Sequence, residues 1–92
     1  MVSIMDAVVL VTGANGGLGE EFVRAALERG ARRVYASARS PRDDWSDSRV
    51  VPLQLDVTSA DSISSAADAA RDVSVVINNA GIPGRAVGNA RI

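Results

Sequence analysis

Four glycines fall within seven residues in "TGANGGLG", Thr12 to Gly19, after an apolar run and ahead of a helical pattern. Glycine at such a junction lets backbone N–H groups approach an anion, and the helix N-terminus adds its partial positive charge. The chemistry this favours is the cradling of a pyrophosphate by peptide amides. A tight turn that only lets strand and helix pack closely would also use glycine. The remaining residue types narrow the field. Cysteine, histidine and lysine are absent, so all ten basic residues are arginine. That removes disulfides, thiolate metal sites, the commonest metal ligand and the usual neutral-pH general base, and no metal site is expected. A P-loop ends in Gly-Lys-Ser/Thr and is excluded for want of lysine. The spacing is not G-x-G-x-x-G either. It is T-G-x-x-x-G-x-G, carried by Thr12, Gly13, Gly17 and Gly19.

These residues need elements to hold them. Ala7 to Thr12 is a short β-branched run, the pattern of a strand covered on both faces. After the glycines, Leu18, Phe22, Val23, Ala26 and Leu27 recur at helical spacing. Glu20 and Glu21 lie in the first turn, where the helix dipole favours them, and Gly30 stands where a glycine would end the helix. Arg32 to Ala38 reads as a second strand, and the polar stretch that follows as a loop too short for a proper helix. Val50 to Asp56 reads as a third strand, and its Pro52 suits a sheet edge. Thr58 or Ser59 can cap a helix with a weak stripe of Ile63, Ala66, Ala67 and Ala70, and Val73 to Asn78 is a fourth strand. Alternation of this kind predicts an α/β fold: a parallel sheet in the order 3-2-1-4, the first part of a doubly wound, Rossmann-type domain.

In that order the chain resembles the short-chain dehydrogenase/reductase family. The family carries T-G-x-x-x-G-x-G after its first strand, an Asp after its third and N-N-A-G after its fourth. Here these are "TGANGGLG" at 12–19, "DV" at 56–57 and "NNAG" at 78–81. The resemblance covers about residues 5 to 82, the front part of a family member. It implies that Gly13, Asn15, Gly17, Leu18 and Gly19 line the pyrophosphate and nearby ribose. Asp56 would accept from the adenine amino group with Val57 flanking the ring. Asn79, Ala80 and Gly81 would lie beside the adenine-side ribose, and Thr12 would tie the first strand to the NNAG turn. Read singly, Asp56 could be a helix-capping carboxylate and Asn78 a turn former.

An acidic residue near the end of the second strand binds the ribose diol of NAD, whereas arginine suits the extra phosphate of NADP. This strand ends "YASARS", with Ala38 at the acidic position and Arg39 after it. Ser37 and Arg39 can both donate to a 2′-phosphate, so NADP is expected ahead of NAD. Arg32 and Arg33 begin the same strand, roughly 20 Å away. Arg42 could help from the loop that follows, but a surface role is expected. Trp45 is expected to cover apolar surface or the adenine edge.

The family's chemistry resembles an acid–base relay of Ser, Tyr and Lys, with Tyr four residues before Lys. Tyr35 is the only tyrosine, and no serine follows Ser74. Tyr35 and Arg39 mimic the spacing but sit on a strand, roughly 13 Å apart, so Tyr35 reads as sheet packing with its hydroxyl at a boundary. No catalytic residue is assigned. The expectation is an oxidoreductase front half, truncated before its active site and inactive alone. A stand-alone nucleotide-binding module or a non-functional remnant are the alternatives. Residues 1–82 would form the NAD(P)-binding part and 83–92 an irregular tail. Charge is balanced at −1, which points to neither nucleic acid nor membrane, and the N-terminus resembles no leader, so a cytoplasmic setting is expected. The fourth strand would present an unpaired apolar edge, open to self-association or a second chain.

Overall fold

A computed structural model describes residues 3–79 of the chain. Six elements follow one another: β1 (Val8–Thr12), α1 (Gly17–Glu28), β2 (Arg33–Ala38), β3 (Val50–Gln54), α2 (Ala60–Ala69) and β4 (Val75–Ile77). All strands pair in parallel, in the order β3-β2-β1-β4. This is the predicted order. β1 sits at the centre, so its carboxyl end opens where the strand order reverses, the place at which such sheets bind ligands.

The sheet buries both faces. On one, Val9, Val11, Val34, Ala36 and Ile77 pack with Val23 and Ala26 of α1. On the other, Val8, Tyr35 and Leu53 pack with Ala66 and Ala70 at α2. The β2–β3 connection carries no helix, and Trp45 packs against the α1-side cluster in its place. Pro52 occupies the β3 edge, where its missing N–H costs no ladder bond.

Helix ends follow their local chemistry. Gly30 takes φ +87°, which lets its amide bond Leu27 O at 3.1 Å and lets the Ala31 amide bond Ala26 O at 3.1 Å. That is a Schellman closure. At α2, Ser59 is the cap, accepting from the Ser62 amide at 3.2 Å, and Ser62 Oγ returns the favour to the Asp56 amide at 2.8 Å.

All four expected strands are shorter, β1 and β2 by one residue each at the start. β3 stops at Gln54 because the amide of Asp56 turns to Ser62, and β4 keeps only Val75–Ile77. Among the described residues β4 pairs on one side only, and Val76 is 50% exposed there. The expected irregular tail lies outside the described residues.

Candidate functional site

The glycine loop joins the carboxyl end of β1 to the amino end of α1. Gly13 (φ +64°) and Gly17 (φ +57°) take left-handed conformations that other residues adopt only at a cost. Gly19 is needed for space: a Cβ built on it would lie 1.9 Å from the carbonyl oxygen of Gly13. α1 therefore lies against the loop as closely as backbone allows. Gly16, the N-cap, supplies no side-chain cap. The opening amides of any helix lack intrahelical partners. Among the described residues, the amides of Asn15 and Gly16 enter no hydrogen bond, and Asn15, Gly16, Gly17 and Leu18 are exposed. Glycine here serves close packing and open amides together.

Side chains fix this loop from both sides. Thr12 Oγ1 donates to Asn78 Oδ1 at 3.1 Å and accepts from the Asn79 amide at 2.8 Å. Asn79 Nδ2 then donates to Gly13 O at 3.2 Å. The expected tie between Thr12 and the turn after β4 is thus present. Opposite, Ala14 is buried and its amide donates to Ser37 O at 2.9 Å. Asn15 donates from Nδ2 to Ser40 O at 2.8 Å and accepts at Oδ1 from the Arg42 amide at 3.3 Å. The role of Asn15 as a clasp between two loops left no trace in its sequence spacing, because its partners lie 25 and 27 residues away.

Arg39 stands at the mouth of the site with its side chain 75% exposed, its Nε 3.8 Å from Asp56 Oδ1. The same oxygen accepts from the Thr58 hydroxyl at 2.6 Å and the Thr58 amide at 2.9 Å. These bonds, the hydroxyl's foremost, hold the Asp56 carboxyl below its usual range, and the Arg39 charge adds to them. Asp56 so anchors the turn into α2, and Val57 lies exposed beside it. Ala80 and Gly81 lie outside the described residues.

Ser37 is a correction. It is fully buried, and its hydroxyl donates to Val11 O at 2.8 Å, so it braces β1 against β2 and does not face the open end with Arg39. Arg42 is more engaged than expected: Nη1 bonds Glu20 Oε1 at 2.9 Å, Nε bonds Asp44 Oδ1 at 2.6 Å, and its guanidinium lies 4.4 Å from the Trp45 ring centroid. Tyr35 is 6% exposed and donates to Asp72 Oδ1 at 2.8 Å. Asp72 precedes β4, at the opposite end of the sheet from the glycine loop, and also pairs with Arg33 at 2.8 Å. The boundary placement of the Tyr35 hydroxyl is as expected.

Comparison with known proteins agrees with this geometry. The family model described as short chain dehydrogenase matches residues 7–91. A short-chain dehydrogenase/reductase of Pestalotiopsis microspora is 37% identical over 88% of this chain and 31% of its own length. Human retinol dehydrogenase 12 is 34% identical, over 88% of this chain and 30% of its own. A short chain dehydrogenase from Burkholderia cenocepacia J2315, crystallised in complex with NADP, superposes with a TM-score of 0.79 at 43% identity, covering 88% of this chain and 33% of that one. The chain spans about a third of the length of these relatives.

Proposed function

The chain belongs to the short-chain dehydrogenase family, and from that premise we propose that residues 1–82 form the NADP(H)-binding front of an oxidoreductase acting on a carbonyl/alcohol pair. The observation that carries the proposal is the uncapped, exposed start of α1, with Gly19 pressed on Gly13 and the Arg39 guanidinium exposed, 3.8 Å from Asp56. Gly13, Asn15, Gly17, Leu18 and Gly19 would hold the pyrophosphate and nearby ribose. Arg39 would hold the 2′-phosphate by charge-assisted bonds that a neutral diol cannot make. Asp56 and Val57 would meet the adenine, and Asn79, Ala80 and Gly81 its ribose. The family relative that holds NADP supports this choice over NAD.

When bound, the nicotinamide would give hydride to the carbonyl or take it from the alcohol. This chain's own residues bind and orient the dinucleotide. The proton relay needs a Tyr–Lys pair, and the 92 residues contain no lysine. We therefore assign these residues cofactor binding and no catalytic step. Its setting is cytoplasmic in this reading; no described helix is long and apolar enough to cross a membrane. The open β4 edge is where a second copy or another chain would pair.

Isothermal titration with NADPH and NADH is the test. NADPH should bind more tightly, and Arg39→Ala should weaken NADPH by about tenfold while barely changing NADH, as loss of one charge-assisted contact requires. Tighter binding of NADH by the unaltered chain would overturn the assignment.

A further inference from the structure

We infer that Arg42 is a positioning residue for cofactor choice: it holds the β2–β3 connection against the first turn of α1, so that Arg39 is preset beside the glycine loop. The inference rests on the dinucleotide reading above and adds Arg42 and Glu20, which that reading does not use. Residues 39–49 contain neither helix nor strand, so their backbone needs other constraints if Arg39 is to stand in one place. Gln54 Nε2 holds Arg39 O at 3.3 Å, and Arg49 ties the far end of the connection to Leu27 O and Ala31 O at 3.3 Å. The constraints that reach the first turn of α1 meet at Arg42. Its amide is held by Asn15 at 3.3 Å, and Asn15 also holds Ser40 O at 2.8 Å, clasping the backbone on both sides of Pro41. Its guanidinium reaches Glu20 on α1 at 2.9 Å and Asp44 within the loop at 2.6 Å, against the face of Trp45.

The two arginines divide the work. Arg42 is 31% exposed and neutralised by two carboxylates, whereas Arg39 is 75% exposed with one carboxylate at 3.8 Å. The engaged cation is the anchor, and the loosely held one is available to an anion. A loop ordered before binding spares the ligand that ordering cost. The saving applies to NADPH, whose extra phosphate uses Arg39, and hardly to NADH. Glu20 complicates a simple deletion: Arg24 still pairs with it, but without Arg42 its carboxylate near the start of α1 would be less neutralised and would repel a pyrophosphate more.

The experiment therefore compares Glu20→Gln, Arg42→Ala and the double variant by titration with NADPH and NADH. Melting curves run alongside, and amide exchange is followed over residues 39–44. A positioning role expects Glu20→Gln and the double variant each to weaken NADPH about fivefold, with NADH changed less than about twofold. Exchange over 39–44 should quicken in both while the β1 amides stay protected. Tighter NADPH binding by Glu20→Gln with NADH unchanged would overturn the inference, since it would mean that Arg42, released from α1, serves the phosphate directly. Equal losses for both dinucleotides, or no change in either, would overturn it as well. If the unaltered chain bound neither dinucleotide, the reading beneath would fall and this inference with it.

Discussion

Replacing Gly19 by alanine puts the tightest contact of the site to the test. The added methyl would stand 1.9 Å from Gly13 O, 2.7 Å from Gly13 C and 3.0 Å from Ala14 Cα. All three are backbone atoms, so no side chain can swing aside. To reach even 3.0 Å from the oxygen, α1 must retreat by about 1 Å. Gly13 O cannot turn away freely, because it accepts from Asn79, nor can Ala14, whose amide is held by Ser37. Losing those two bonds costs about 1 kcal/mol each. Lifting Val23 and Ala26 off the sheet adds about 1–3 kcal/mol. Alanine's better helix propensity returns at most about 1 kcal/mol. The net loss is about 2–4 kcal/mol.

Two neighbours calibrate that figure. Gly17 has open space but φ +57°, so Gly17→Ala should cost about 1–2 kcal/mol from backbone strain alone. Gly16 is extended, with nothing within 4 Å of an added Cβ, so Gly16→Ala should stay within about 0.5 kcal/mol. Urea unfolding followed by the fluorescence of Trp45, which packs on the core, reads all three. With a slope near about 1 kcal/mol/M for so small a chain, the Gly19→Ala midpoint should fall by about 2–4 M. A Gly19→Ala midpoint equal to the parent's, or a larger loss for Gly17→Ala, would refute the close approach of helix and loop.

Acid should act through Asp47. Its carboxyl is held at about 2 because the Arg49 guanidinium and amide both bind it. A folded value below the unfolded one of about 3.9 means that its stabilisation is complete above that pH and drains away as pH falls toward 2. Melting curves between about pH 5 and 2 should therefore be shallower for Asp47→Asn than for the parent; parallel curves would contradict the pairing. Tyr35→Phe should lower stability by about 1 kcal/mol, the worth of one hydrogen bond to Asp72, and leave NADPH affinity unchanged. A loss of affinity with no loss of stability would give that phenol a role at the site after all.

Much of this arrangement was legible in the residues. Continuous β-branched runs separated by helical stripes imposed parallel crossovers, Pro52 marked an edge, and Gly30 marked a helix end. The direction of Ser37 was not legible. Val34 to Ser37 are all buried, so inside–outside alternation, the usual guide to a strand's faces, is silent in a strand covered on both sides. The clasp of Asn15 and the anchoring of Arg42 were hidden for another reason. Both depend on a loop folding back across the chain, and eleven acidic residues gave Arg42 many equivalent partners on paper. The capping reading of Asp56 does not hold: Ser59 caps α2, and Asp56 binds Thr58 ahead of it, with Arg39 meeting the same oxygen.

The side chains of this site mostly hold backbone, and in the proposed reading the backbone amides do the binding. Thr12 and Asn79 fix the loop to the turn after β4, Asn15 fixes it to the β2–β3 connection, and Ser37 braces the strands beneath. Donors locked before a ligand arrives cost nothing to reorganise when it does. On that reading a chain without lysine or histidine offers an anion its peptide amides, with arginine only at the rim. Packing and binding are then not rival accounts of the glycines. The contact between Gly19 and Gly13 seats the helix, and the seated helix is what turns its first amides toward the open end of the sheet.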